Sequence, residues 1–196
     1  MSFRIEEKLY LRPENLIDFK RYIYNNSAEK LYKARKIQSL YFDNINLDMY
    51  NDSVEGLVPR KKIRVRNYPN DNDNNFYLEI KNSSVEGRFK TRKIIDKIEL
   101  KKLKNHGILD SQYGTCFPTF KVSYEREYIK FKGVRLSIDK NIIYESYNKK
   151  NYFSEKRIIV EIKTSINKSA DFLAEIFPFQ RIRFSKYCFA VDVLKN

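Results

Sequence analysis

Arg60-Lys61-Lys62-Ile63-Arg64-Val65-Arg66-Asn67-Tyr68 reads as a strand with two unlike faces. Side chains alternate along a strand. Arg60, Lys62, Arg64 and Arg66 therefore share one face, while Ile63 and Val65 take the other. Neighbouring cations in that row stand about 6.6 Å apart. At an effective dielectric near ~20, each adjacent pair repels by about 2.5 kcal/mol. A chain tolerates such a row if it faces open solvent, or if something negative belongs against it.

The pattern repeats outward from this stretch. Phe3 to Leu11 alternates Phe3, Ile5, Leu9 and Leu11 against Arg4, Glu6, Lys8 and Tyr10. Pro13 opens a helix whose stripe is Leu16, Phe19, Tyr22 and Ile23, and Asn25-Asn26 ends it. Lys36 to Phe42 is a strand, and Leu47 to Asn51 a short helical turn. Beyond the basic strand, Pro69 to Asn75 is a polar turn from which Phe76 to Lys81 pairs back as a hairpin. Ser83 to Gly87 is a loop, Phe89 to Ile95 a strand and Ile98 to Asn105 a Lys-rich helix. His106 caps that helix before Gly107. Lys121 to Phe131 and Val134 to Ile143 form a strand pair joined at Lys132-Gly133. Lys149 to Ser154 is a loop, Arg157 to Lys163 a strong strand, and Ser169 caps a helix that Pro178 stops. Roughly eight antiparallel strands with few glycines predict an α+β chain built on a barrel or strongly curved sheet, as one domain over residues 1–196.

The 196 residues are 42% hydrophobic, enough for a sizeable core, and carry a net charge of +14. That balance points to a polyanionic partner: nucleic acid, an anionic membrane surface or a phosphate-rich small molecule. No apolar run approaches a transmembrane span and no signal peptide is evident, so a cytoplasmic protein without a membrane segment is expected. Cys116 and Cys188 lack metal spacing and read as reduced structural thiols. With a single histidine, His106, a Ser-His-Asp triad and a histidine zinc site are disfavoured. Any chemistry falls to carboxylates, lysines and arginines with a hard metal ion.

Glu-x-Lys recurs on predicted strands, as Glu6-Glu7-Lys8, Glu79-Ile80-Lys81 and Glu161-Ile162-Lys163, with acid and base on one face each time. Arg4, Lys62, Arg64, Arg66, Lys90, Arg92, Arg126 and Arg135 join these by parity or proximity, with Arg183 and Lys186 near the C-terminus. A barrel lined by charge must hold water or ligand. Lysines and arginines there would concentrate a polyphosphate. Interleaved glutamates suit Mg²⁺ or Mn²⁺ bridging phosphate oxygens, and phosphoryl transfer needs little else from a protein.

These residues resemble a family. Arg4-x-Glu6-x-Lys8, Ser39-Leu40-Tyr41-Phe42-Asp43, Lys62-Ile63-Arg64-Val65-Arg66-x-Tyr68, Glu79-Ile80-Lys81, Ser123-Tyr124-Glu125-Arg126, Arg135-Leu136-Ser137-Ile138-Asp139, Glu161-Ile162-Lys163 and Phe184-Ser185-Lys186-Tyr187 look, in order, like the VTC domain. That is the polyphosphate polymerase domain of the triphosphate tunnel metalloenzyme, or CYTH-like, superfamily. The resemblance implies an eight-stranded antiparallel tunnel barrel with a few flanking helices. It implies transfer of the terminal phosphoryl group of ATP, or another triphosphate, onto inorganic polyphosphate, with Mn²⁺ or Mg²⁺. Lys8, Arg64, Arg66, Lys81, Lys90, Arg126 and Lys163 would then bind phosphates, with Arg183 and Lys186 completing the basic lining. Arg92 would join them as a substrate contact. Glu161, with Glu6, would hold the metal. Arg4 departs from the acidic residue often found there, and Arg183 from a lysine. The 196 residues leave no room for the phosphate-sensing domain or membrane segment of the eukaryotic complexes.

Three functions fit: a phosphoryltransferase making polyphosphate, a triphosphate hydrolase on the same scaffold, and a non-catalytic polyphosphate-binding module. Nucleic-acid binding would use aromatics among the cations, with Tyr68 and Tyr77 as candidates, but glutamates on the same faces argue against it.

Overall fold

A computed structural model describes residues 4–71, 75–165 and 169–195, with the backbone alone for Arg4, Ile5, Ser165 and Ala170. In chain order the elements are β1 (Arg4–Leu11), a 3-10 turn (Pro13–Asn15), α1 (Leu16–Asn25), β2 (Glu29–Asp43), α2 (Asp48–Glu55), β3 (Arg60–Asn67), β4 (Phe76–Ser84) and β5 (Gly87–Ile95). There follow α3 (Lys97–His106), β6 (Ile108–Asp110), β7 (Gly114–Phe131), β8 (Val134–Ser146), β9 (Tyr152–Glu155), β10 (Ile158–Ser165), α4 (Ala170–Ile176) and α5 (Lys186–Leu194).

Backbone hydrogen bonds link the strands in the order β1-β10-β8-β7-β2-β3-β4-β5, with β6 on β7 and β9 on β8. The ladders β1/β10, β10/β8, β2/β3, β3/β4, β4/β5 and β6/β7 are antiparallel. The α+β antiparallel class expected from sequence is observed. Closure is not: among the described residues no ladder joins β1 to β5, so the hydrogen-bonded sheet is open. The physical reason lies in β5, which is exposed from Arg88 to Ile94 and carries Arg88, Lys90, Arg92 and Lys93. Charges along an edge discourage a further strand from pairing.

Two compact units divide the chain. The first comprises Met1–Arg35, Tyr124–Ile142 and Glu155–Phe184. Its core joins Leu9 and Leu11 of β1, Leu136 and Ile138 of β8, and Ile158, Val160 and Ile162 of β10. Phe19 and Ile23 of α1 and Leu173 and Ile176 of α4 cover that apolar face. Ser169 accepts a hydrogen bond from the Phe172 amide at 3.1 Å, the N-cap its sequence position predicts.

The second unit comprises Lys36–Ser123, Ile143–Ser154 and Ser185–Asn196. Ile63 and Val65 of β3 pack with Phe42, Met49 of α2, Ile95 and Cys116, against Leu100 and Leu103 of α3. Each such side chain contributes about 1.5–3 kcal/mol by leaving water, which fixes the cations of β3 on the opposite face. His106 ends α3, and Gly107 follows at φ 77°. A Cβ there would meet Thr115 Cγ2 at 2.7 Å and the Cys116 carbonyl at 2.9 Å, so no side chain fits. Cys116 and Cys188 are free thiols, and burial pushes the Cys116 thiol up to about 12.

The sequence underestimates several elements. β2 begins at Glu29 rather than Lys36, because its first half is exposed on both faces and shows no alternation. α2 runs to Glu55, and β9 occupies part of the expected loop at 149–154. No helix among the described residues is long and apolar enough to cross a membrane.

Candidate functional site

In the second unit, three strands bring the cations together as cross-strand rows. β3/β4 pairing sets Lys62 opposite Lys81 and Arg64 opposite Glu79. β4/β5 pairing sets Lys81 opposite Lys90 and Glu79 opposite Arg92. One row therefore reads Lys62, Lys81, Lys90 and the next Arg64, Glu79, Arg92. Like charges directly opposite one another repel, and Lys90 of this row is offset by Glu79.

Glu79 is the hub of the second row. It is 2% exposed. Arg64 donates to it from Nε at 2.8 Å and reaches it with a second nitrogen at 2.7 Å. Lys90 donates to its other oxygen, Arg92 lies at 3.6 Å and Arg66 at 4.0 Å. One carboxylate thus sits among four cations. Burial pushes the Glu79 carboxyl up, but Arg64, Arg66 and the Lys90 hydrogen bond outweigh it and hold the carboxyl at about 2, against an ordinary 4.5. Burial, together with repulsion from Arg64 and Arg66, pushes Lys90 down despite its bond to Glu79.

A depressed folded-state value means that Glu79 stabilises the fold fully above the unfolded value near 4.5 and loses that contribution as pH falls toward 2. Glu79→Gln should therefore lower stability by on the order of 3 kcal/mol at neutral pH. The gap between the melting temperatures of variant and wild type should narrow below about pH 4.5. A gap constant down to pH ~2.5 would contradict this placement of the charge.

α5 completes this side of the sheet. Lys62 Nζ donates to Ser185 Oγ at 2.9 Å, and Ser185 caps the helix by accepting from the Cys188 amide. Tyr187 stacks on Tyr41 with centroids 5.2 Å apart and donates to the buried Asp43 carboxylate at 2.6 Å. Tyr41 in turn accepts from Arg64 at 3.1 Å. Burial favours the neutral phenol, yet Arg64, Arg66 and Lys186 lower the Tyr41 value. Ser39 accepts from Arg66 Nε at 3.1 Å.

In the first unit, β1/β10 pairing builds a checkerboard: Glu6 faces Lys163 and Lys8 faces Glu161. β10/β8 pairing extends the rows to Arg135 and Ser137. Lys163 Nζ is 2.9 Å from Glu161, and Lys8 is 3.7 Å from Glu6. Lys8 Nζ donates to the Phe184 carbonyl at 2.7 Å. The Ile182 amide donates to the Lys8 carbonyl, so the segment bearing Arg183 runs beside β1. Arg126 forks onto Asp139 with bonds of 2.6 and 2.7 Å and reaches Glu161 at 3.4 Å. Asp139 is completely buried. Burial pushes Glu161 up, but Arg126, its hydrogen bond with Glu6, Lys163 and Lys8 hold it well below the usual carboxylate range.

Two adjoining carboxylates, Glu6 and Glu161, offer hard oxygen donors. Among the described residues no group of three or more His, Cys, Asp or Glu is placed to hold a metal ion. The donor set fits Mg²⁺ or Mn²⁺ shared with substrate phosphates and water, which is how these ions are usually bound, rather than a closed protein cage.

The sequence-predicted residues thus fall into two groups. Lys62, Arg64, Arg66, Lys81, Lys90 and Arg92 share one sheet face of the second unit, with Lys186 at the start of α5. Glu6, Lys8, Arg126, Arg135, Glu161 and Lys163 share a face of the first, and Arg183 is exposed nearby in sequence to Phe184. The Arg4 side chain lies outside the described residues. Sequence reasoning assigned no site role to Asp139 or Tyr41, and read Glu79 only among the interleaved glutamates suited to a metal; the structure instead pairs Glu79 with Arg64 and Lys90. A two-residue turn at Lys132-Gly133 pairs Phe131 with Val134 and, counted back, Arg126 with Asp139, so the Asp139 partnership had a readable signal.

The VTC domain family matches residues 3–195, and the chain belongs to that family. No curated protein matches it in sequence. Among solved structures, a candidate adenylate cyclase from Bacillus halodurans is similar over 100% of this chain and 98% of its own, at 13% identity and TM-score 0.62. A candidate adenylyl cyclase from Hippeastrum, described as having a dominant triphosphatase activity, is similar over 97% and 94%, at 17% identity and TM-score 0.57. A conserved hypothetical protein from Pyrococcus furiosus is similar over 91% and 92%, at 17% identity and TM-score 0.56. The shared fold is the CYTH-like tunnel-barrel fold.

Proposed function

We propose that this chain, acting as one domain over 1–196, is a metal-dependent phosphoryltransferase that builds inorganic polyphosphate from ATP. The supporting observation is the lysine row Lys62-Lys81-Lys90 beside a row in which a single carboxylate serves Arg64, Arg66, Lys90 and Arg92. A phosphate chain would meet those cations oxygen by oxygen. Arginine forks and lysine point charges would neutralise its non-bridging oxygens. Within the first unit, Lys8, Arg126 and Lys163 surround Glu161. Glu161 and Glu6 would hold Mn²⁺ or Mg²⁺, which neutralises charge developing on the transferred phosphoryl group. The bond to the terminal phosphorus of ATP breaks, a bond to the chain-end oxygen forms, and ADP leaves. Rigid strands hold these groups, so positioning and electrostatics carry the rate. We place this activity in the cytoplasm.

Hydrolysis on the same scaffold is the second reading, supported by the triphosphatase activity described for the Hippeastrum protein. It differs only in water attacking instead of a chain end. Incubation with ATP and Mn²⁺ separates the readings. ADP with polymer is expected, ADP with free phosphate would favour hydrolysis, and no turnover would leave a binding module. Tripolyphosphate affinity should also fall more than about tenfold between ~0.05 and ~0.5 M salt, since several exposed charges are neutralised together. A flat salt dependence, measured calorimetrically, would count against phosphate binding on these faces.

A further inference from the structure

A cavity of the second unit, on the sheet face turned away from the β3 cations, takes no part in the function proposed above. Ser39 and Tyr41 of β2 accept from Arg66 and Arg64, which places them on the cationic face. Gln38, paired with Asn67, alternates to the opposite face, and Lys36 follows it by parity. Lys121 and Ser123 of β7, Glu145 of β8 and the turn bearing Lys149 and Lys150 join them around a cavity of about 530 Å³. The Ser146 amide donates to the Asn151 carbonyl and closes that turn.

The charged groups of the lining are four lysines and one carboxylate. Glu145 pairs with Lys121 at 2.9 Å. Among the described residues Lys36, Lys149 and Lys150 have no ion pair, and the Gln38 and Ser123 side chains have no hydrogen-bond partner. Ser123 is only 7% exposed. A hydroxyl withdrawn from water without a partner costs free energy, which a ligand accepting its hydrogen bond would offset.

Ammonium groups gathered in a cleft attract anions, and lysines meet phosphate oxygens as point charges. These lysines come from β2, β7 and a turn, so they approach a ligand from several sides. The volume is that of a small-molecule site and exceeds what a single phosphate fills. The lining contains one aromatic ring, Tyr152, and no run of stacking platforms for single-stranded nucleic acid.

We propose that this cavity is a second phosphate-binding site, taking a small anion with two or more phosphate groups, from an inorganic oligophosphate or a phosphorylated sugar. It shares no residue with the cationic rows of β3, β4 and β5, so it stands or falls separately from the function proposed for them.

Calorimetric titration with tripolyphosphate and with fructose 1,6-bisphosphate tests this. Wild type should show two separable tripolyphosphate sites. Lys36→Gln with Lys149→Gln and Lys150→Gln alters only exposed side chains and should weaken one of them at least about 100-fold, since each charged hydrogen bond contributes about tenfold or more. Ser123→Ala, which changes no charge, should weaken the same site about threefold. Lys62→Gln with Lys81→Gln should weaken only the other. Tripolyphosphate binding unchanged in the triple variant would overturn the proposal and leave the phosphate reading of the β3 face intact. A single wild-type site, lost in the triple variant and kept in the Lys62/Lys81 variant, would uphold the proposal and overturn that reading. Whichever anion binds the Lys62/Lys81 variant tighter identifies the source that fills the cavity. Binding of neither anion to that variant, or tighter binding there of a short single-stranded oligonucleotide, would overturn the small-anion assignment.

Discussion

Arg126→Ala is expected to lower folding stability by about 3–5 kcal/mol, the cost of leaving buried charge without its partner. Arg126 holds both oxygens of Asp139, which is 0% exposed, and extends to Glu161 at 3.4 Å. Its removal strands one fully buried carboxylate and weakens the support of a second. The guanidinium also lies 5.3 Å from the Tyr124 ring centre, so truncation removes packing as well as charge. The double variant Arg126→Met with Asp139→Asn should recover a large part of the loss, because no unpaired charge remains. Urea denaturation of the single and double variants measures both numbers. A loss below about 1 kcal/mol for Arg126→Ala would mean that water reaches Asp139, contrary to its burial.

Glu161→Gln is expected to reduce Mn²⁺-dependent ATP turnover by at least about 100-fold, because metal stabilisation of phosphoryl charge amounts to several kcal/mol. The same variant should bind ATP as tightly as wild type or tighter, since one repelling charge is gone from among Lys8, Arg126 and Lys163. Glutamine keeps the size and one acceptor oxygen, so the Ser137 and Lys163 contacts need little rearrangement. The competing role is a plain ion pair with Lys163 at 2.9 Å. That role predicts a lower melting temperature with near-normal turnover in the folded protein. Turnover and melting temperature, measured on one preparation, separate the two.

Much of this was legible beforehand because strand periodicity is insensitive to register. Wherever β3 pairs, Lys62, Arg64 and Arg66 share a face and Ile63 and Val65 share the other. The same holds for Lys8 with Glu6 and for Glu161 with Lys163. Short hairpins carry register as well. The sequence reads 83–87 as a loop, whereas Ser84 pairs with Gly87 across a two-residue connection; with that turn placed, counting back sets Lys81 opposite Lys90 and Glu79 opposite Arg92. β9 and the first half of β2 were illegible because their exposed residues show no alternation of apolar and polar side chains.

The sequence by itself determined the antiparallel class, the charged and apolar faces and the family to which the chain belongs. Only tertiary structure decided which cations of β3 meet Glu79 and which cations surround Glu161. The link from β3 to β4 runs from Tyr68 to Asn75, too long for turn geometry to set register, so nothing local specifies Arg64 opposite Glu79 rather than Lys62 opposite Glu79. Packing of Ile63, Val65 and Ile80 against the α2 and α3 side limits the choice to steps of two residues, and the pairing adopted places one buried carboxylate among four cations. A one-dimensional pattern specifies faces; how strongly two charges interact depends on their separation and burial, which only the folded chain sets.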